Sequence, residues 1–221
     1  MPIRTLALFA LSIAVASAGE VIDCIAVSVG RNVITRSAIE EQARMSAFLN
    51  REPVDLSAPN FRRTAERLVD VMLIRREMEI SRYAASPAAE VEKILAGLRA
   101  GREAVKPEDL TQALAAQNID EAALRRHLAL QTATMRFVEL RFRPGSSVSD
   151  AEVEAFFRDN FAPEFVRQNP GKAAPDIDDV RDRIEASLLE QRVDQAMEQW
   201  LKEARAQVRI TYFPESCKVG P

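Results

Sequence analysis

The sequence predicts a mainly α-helical (α+β) protein, a helical bundle with one small sheet shared by its N- and C-terminal strands. Three observations carry this. Seven glycines in 221 residues are too few for a glycine-punctuated all-β fold. Arg, Glu, Ala and Leu dominate, a helix-favouring mixture. Short alternating apolar segments occur only near the two ends, and the stretches between them repeat with a helical period.

Each element follows in order. Ile25, Val27 and Val29 alternate with Ala26 and Ser28, the pattern of a half-buried strand. Gly30-Arg31-Asn32 is a turn, and Val33-Ile34-Thr35 begins a return strand. Ser37-Ala38-Ile39-Glu40 has the form of a capping box, which predicts a helix to about Leu49. After a loop over residues 50–60, Phe61 to Tyr83 is a helix. Phe61, Ala65, Leu68 and Met72 share a stripe, and Val71, Leu73 and Ile74 widen it, so it packs on more than one side. Pro87 opens a more polar helix that Gly101 stops. Asp109 is expected to cap a short one ending in a left-handed Asn118.

Asp120 caps the next helix, to about Phe142, which has two apolar faces. One carries Leu124, Leu128, Met135 and Phe142; the other carries Leu130, Ala133, Phe137 and Leu140. Arg143-Pro144-Gly145-Ser146 ends it, and Ser149-Asp150-Ala151-Glu152 is a second capping box. Three prolines and a glycine make residues 162–175 a connector. The last helix, about Asp176 to Ala206, changes side. Ile177, Val180, Ile184 and Leu188 share one face, while Leu189, Val193, Met197, Trp200 and Ala204 share nearly the opposite one. It therefore bends, or its halves pack on different bodies. Residues 208–213 alternate again, and a lone terminal strand needs a partner, so the two ends are expected to meet in one sheet. That pairing would bring Cys24 toward Cys217. A bridge there would close a loop of roughly 190 residues, worth up to about 5 kcal/mol in the chain-entropy model; the alternative is two unrelated thiols.

Composition closes off much chemistry. One His and two Cys exclude most zinc sites and metal clusters, and no metal or other cofactor is expected. A net charge of −3, with basic residues spread along the chain, gives no footprint for nucleic acid. Neither G-x-x-x-x-G-K-[ST] nor G-x-G-x-x-G occurs, which argues against nucleotide-driven work. His127 lies on a helix with no nucleophile near it in sequence, and the acidic pairs sit where helix starts want negative charge. No catalytic residue stands out.

Residues 1–18 read as a secretory signal. Arg4 precedes an uncharged run of about 12 residues, short of the roughly 20 that span a bilayer, and Ala16-Ser17-Ala18 fits a cleavage site. The expected protein is periplasmic or otherwise exported, soluble after cleavage near Ala18.

Three stretches together resemble the SurA-like periplasmic chaperones, relatives of the parvulin-type peptidyl-prolyl isomerases. They are residues 25–37, the family's opening hairpin and helix start; residues 114–125, its short-helix, turn, long-helix segment; and residues 180–210 with Trp200-Leu201, its C-terminal helix. Ser149 to Phe157 is similar to its linker helix. The resemblance implies a signal over 1–18, an N-terminal chaperone domain over 19–143, a linker helix and connector over 144–175, a C-terminal helix and strand over 176–213 that complete the N-terminal domain, and a tail over 214–221. Isomerases of the family carry a parvulin module between the linker and C-terminal helices. Residues 160–175, 16 in number, cannot hold one. The expectation is an ATP-independent chaperone, not an enzyme, that holds unfolded exported polypeptides, outer-membrane proteins among them, in an apolar cradle. Phe156, Phe157, Phe161 and Phe165 on the arm, with Met45 and Phe48 in the first helix, are the candidate contacts; the alternative makes them core. A rival reading is a non-catalytic envelope scaffold that docks one fixed partner, or a second copy by element exchange, on Ile177, Val180, Ile184 and Leu188.

Overall fold

A computed structural model describes residues 23–83, 88–100 and 107–213. The signal segment, Pro87, Gly101 and Cys217 lie outside these residues. Strand β1 (Ile25–Val29) forms a hairpin with β2 (Asn32–Thr35). Gly30 has φ +59°, which favours glycine, and a Cβ there would meet the Val208 side chain at 3.4 Å. Strand β3 (Ile210–Tyr212) lies antiparallel on the other side of β1, in the order β2-β1-β3. The two ends do meet in one sheet. The alternation in β1 breaks, however: a bulge between Ile25 and Val27 leaves Ala26 and Val27 both buried and Ile25 46% exposed.

Helix α1 (Arg36–Asn50) is capped by Thr35, whose hydroxyl oxygen accepts the Ala38 N–H at 3.3 Å. The capping box expected at Ser37 does not form, because Glu40 is held between Arg36 (2.8 Å) and Arg44 (3.1 Å). Helix α2 (Ala58–Ile80) buries Ala65, Val69 and Leu73 against the sheet, and Ile74 and Met78 against a different set of residues, so it is packed on two sides as its stripe requires. Helix α3 (Ala88–Ala100) precedes α4 (Pro107–Ala115). Asp109 falls inside α4, because proline is already favourable as a first helical residue. Asn118 takes the left-handed conformation, φ +54°. Asp120 caps α5 (Glu121–Phe142) by accepting the Ala123 N–H.

The apolar interior falls into four clusters. Met45 and Phe48 of α1 pack with Leu95, Leu110, Leu114, Leu124 and Leu128. The sheet, Ile39 and the middle of α2 form the second cluster. Ile74, Met78, Ala133 and Phe137 form the third, with the Tyr83 ring edge-on to Phe137 at 5.4 Å. The fourth belongs to the arm: Val153 on α6 (Asp150–Phe156) against Val180 and Ile184 on α8 (Ile177–Ala206). Helix α8, about 45 Å long, resolves its change of face by dividing its partners. Its first half covers the arm, while Trp200, Leu201 and Ala204 in its second half pack on the sheet, α2 and α5. Arg205 pins that second half to Asp70 of α2 at 2.7 Å.

Two expected core residues are not core. Met135 is 63% exposed and Leu140 64%, since near its C-terminal end α5 is covered on one side only, by α2 and α8. The connector also departs from expectation. A π turn (Phe157–Phe161) continues α6 into a further helix, α7 (Ala162–Gln168). Pro163 stands at the start of α7, where proline is tolerated, and the wide turn before it relieves the clash of its ring with the preceding carbonyls.

His127 lies half-buried on α5, and burial pushes its imidazole below the ordinary 6.5. The folded state therefore prefers the neutral ring, and between the lowered and ordinary values the unfolded chain binds more protons. Stability is expected to hold above about pH 6.5 and to fall as the pH drops through the lowered value. Thermal melts of the wild type and His127→Gln from pH 7.5 to 5 check this; the variant's profile should be flatter.

Candidate functional site

The arm presents one surface built for contact. Phe157, Phe161 and Phe165 recur every fourth residue, so they share a face across the π turn and α7. Their rings stack in series, with centroids 5.8 Å apart at 22° and 6.2 Å apart at 26°. Phe156, Phe157 and Phe161 lean against the Val153–Val180–Ile184 cluster. Phe165 is half-buried beyond it, and Val166 beside it is 47% exposed. From α8, the Arg183 guanidinium lies 4.9 Å over the Phe161 ring, a cation–π contact that ties the ladder to the long helix.

The ladder walls an open groove of about 760 Å³, with Phe156, Phe161, Pro163 and Phe165 as its apolar lining and Asn160, Gln168 and Asn169 among its polar rim. The rim charges are already paired. Arg158 meets Asp159 at 2.9 Å. Arg167, and after it Gln168, donate to Glu164 and hold its carboxyl below the usual range. An entering apolar side chain thus meets no unpaired charge in these groups. At the base of the arm the Ser149 capping box forms as expected: the Ser149 N–H donates to Glu152, 2.9 Å, and with the Ser149 hydroxyl lowers that carboxyl's pKa. Glu152 also pairs with Arg192 of α8.

The structure divides the six candidate residues. Phe156, Phe157, Phe161 and Phe165 come together on the arm and keep part of their surface in solvent. Met45 and Phe48 do not join them: at 2% and 6% exposure they are core, enclosed by α3, α4 and α5. Sequence reading missed Arg183 and Val166. Val166 had a signal in its place beside Phe165, whereas Arg183 is brought there only by the packing of α8 on the arm. It also missed a shallow apolar depression where Met135 and Leu140 meet Tyr83 and Pro144. The face expected to dock a fixed partner is in use within the chain: Val180 and Ile184 are buried on the arm, with Leu188 packed beside them. Among the described residues, no group of His, Cys, Asp and Glu is placed to hold a metal ion, and no helix is long and apolar enough to cross a membrane.

An N-terminal hairpin, a helical body and a long C-terminal helix that returns a strand to that hairpin define the SurA-like chaperone fold, and this chain has it. No family model and no curated protein matches the sequence. The likeness is to solved structures, among them a chain from the work on the virulence factor PEB4 and the periplasmic protein Cj1289, two structurally related SurA-like chaperones of Campylobacter jejuni. That chain is 11% identical, superposes with a TM-score of 0.54, and is matched over 86% of this chain and 99% of its own.

Proposed function

We propose that this protein is an ATP-independent chaperone of the bacterial envelope that holds unfolded exported polypeptides on its arm, without catalysing prolyl isomerisation. The observation that carries the reading is the half-buried Phe157–Phe161–Phe165 ladder, on a fold whose likeness is to SurA-like chaperones. Client side chains that cover it gain roughly 25 cal/mol per Å² of apolar area removed from water. Ordering a flexible client takes back much of that gain, which leaves capture weak and reversible. Release needs no nucleotide, because a client that folds withdraws its own apolar surface. Between α6 and α8 the chain forms a π turn, one short helix and a turn, which supports a holding role over a catalytic one. Residues 1–18, read as an export signal, place the work outside the cytoplasm, where outer-membrane proteins pass unfolded.

The test is suppression of aggregation. In molar excess, the protein should slow the aggregation of an urea-unfolded outer-membrane protein diluted into buffer, and should leave a proline-limited refolding reaction at its uncatalysed rate. Phe165→Ala should weaken protection by about threefold or more while the melting temperature stays within about 2 °C, the expectation for a side chain outside the buried clusters. No protection by the wild type, or acceleration of the refolding reaction, overturns the reading.

A further inference from the structure

A second apolar recess, of about 430 Å³, lies far from the arm in sequence, where the sheet meets the start of α2. Ala26 and Val27 of β1, Phe61 and Ala65 of α2, and Tyr212 and Phe213 at the end of β3 line it. Two arginines stand in its wall, Arg36 and Arg62, the latter 3.8 Å over the Tyr212 ring. The β1–β3 register pairs Val29 with Ile210, Ser28 with Thr211 and Val27 with Tyr212. The Phe213 N–H then donates to the Ala26 carbonyl at 2.8 Å, so the ladder runs past the strand's end. Two residues further in the same antiparallel sense, the chain draws level with Cys24. Cys24 is disulfide-bonded, and its carbonyl accepts the N–H of Arg36, a wall of the recess, at 2.9 Å. The other cysteine of the sequence is Cys217, four residues after Phe213 and within a reach of about 14 Å.

We propose that residues 214–217 are the occupant of this recess, fastened across it by a Cys24–Cys217 disulfide. The segment starts at one wall, Phe213, and is tied beside another, Arg36, so it passes over the apolar floor between them. It carries Glu215 toward a wall that holds two arginines. The bridge keeps this apolar face covered, and breaking it uncovers a face distinct from the arm ladder. Exchange with a dithiol reagent breaks the single S–S bond, delivers two electrons and two protons to the two cysteines, and leaves the reagent as its own disulfide. The inference does not rest on the chaperone reading and can fail separately from it.

The test uses the full chain purified under oxidising conditions. Non-reducing peptide mapping of the monomer should yield one linked peptide pair containing Cys24 and Cys217. Dithiothreitol should then raise the fluorescence of an apolar dye at least twofold and speed amide exchange at Val27 and Phe213 about tenfold, with exchange at Leu124 unchanged. The double variant Cys24→Ser/Cys217→Ser should show the reduced behaviour without reagent and no response to it. A free Cys24 thiol, a Cys24 linked between two chains, or a bridge whose reduction moves neither readout overturns the proposal.

Discussion

Phe48→Ala is expected to lose about 3–5 kcal/mol of stability, the range for deleting a buried aromatic side chain and leaving a cavity. Phe48 is 6% exposed, in one cluster with Leu95, Leu110, Leu114 and Leu124, which come from α3, α4 and α5. Those helices have few other anchors to α1, so the void cannot close by a small shift. In a domain of this size each kcal/mol moves the melting temperature by roughly 2–4 °C, so a fall of about 10 °C is expected in a thermal melt. Below its own transition the variant should protect a client as well as the wild type does. Phe165→Ala is the converse: stability kept, protection weakened. An unchanged melt with lost protection for Phe48→Ala would return α1 to the binding surface.

The contrast between these two phenylalanines shows what the sequence could and could not tell. Period and spacing were enough for the sheet shared by the ends, for the two-sided packing of α2, and for the divided loyalty of α8, because each follows from where apolar residues fall along one element. The α1 start was misplaced by two residues because two hydroxyl residues, Thr35 and Ser37, compete for the cap, and the Arg36–Glu40–Arg44 ion pairs remove the carboxylate that a Ser37 box needs. The helical continuation through residues 157–168 was hidden by Pro163, which reads as a breaker until its place at a helix start is known. Burial of single residues was least legible. Met45 and Phe48 sit on one helix with Ile39, yet they serve a different cluster, and only the arrangement of α3, α4 and α5 decides that they are enclosed. Met135 and Leu140 fail in the other direction: their spacing is right for a core, but no element arrives to cover them.

Ile184→Asp is expected to release the arm from α8 while the body stays folded. Only Val153, Val180 and Ile184 are buried in the cluster that docks the arm, and Ile184 is 2% exposed. A carboxylate placed there has no cation within the cluster, and burial of a charge without a partner is opposed by several kcal/mol. The remaining ties do not offset that. Arg181 reaches Asp150 only at 3.8 Å, and the Glu152–Arg192 pair lies at the surface, where such contacts contribute about 1 kcal/mol or less. The body has its own anchors on the far half of the helix: Trp200 against Phe142, with ring centroids 6.1 Å apart, and Arg205 on Asp70. Trp200 is the one tryptophan of the sequence, so its emission reports the body alone. Amide exchange over residues 150–168 and 177–188 should rise toward that of an unfolded chain, with Trp200 emission and exchange in α5 unchanged. Aggregation suppression should fall at least tenfold, because a detached arm loses both the alignment of its three stacked rings and the Arg183 contact that holds the middle one. A red shift of Trp200 together with loss of protection in α5 would mean that arm and body unfold as one unit. Protection of clients at the wild-type level by a released arm would move the binding surface off the ladder.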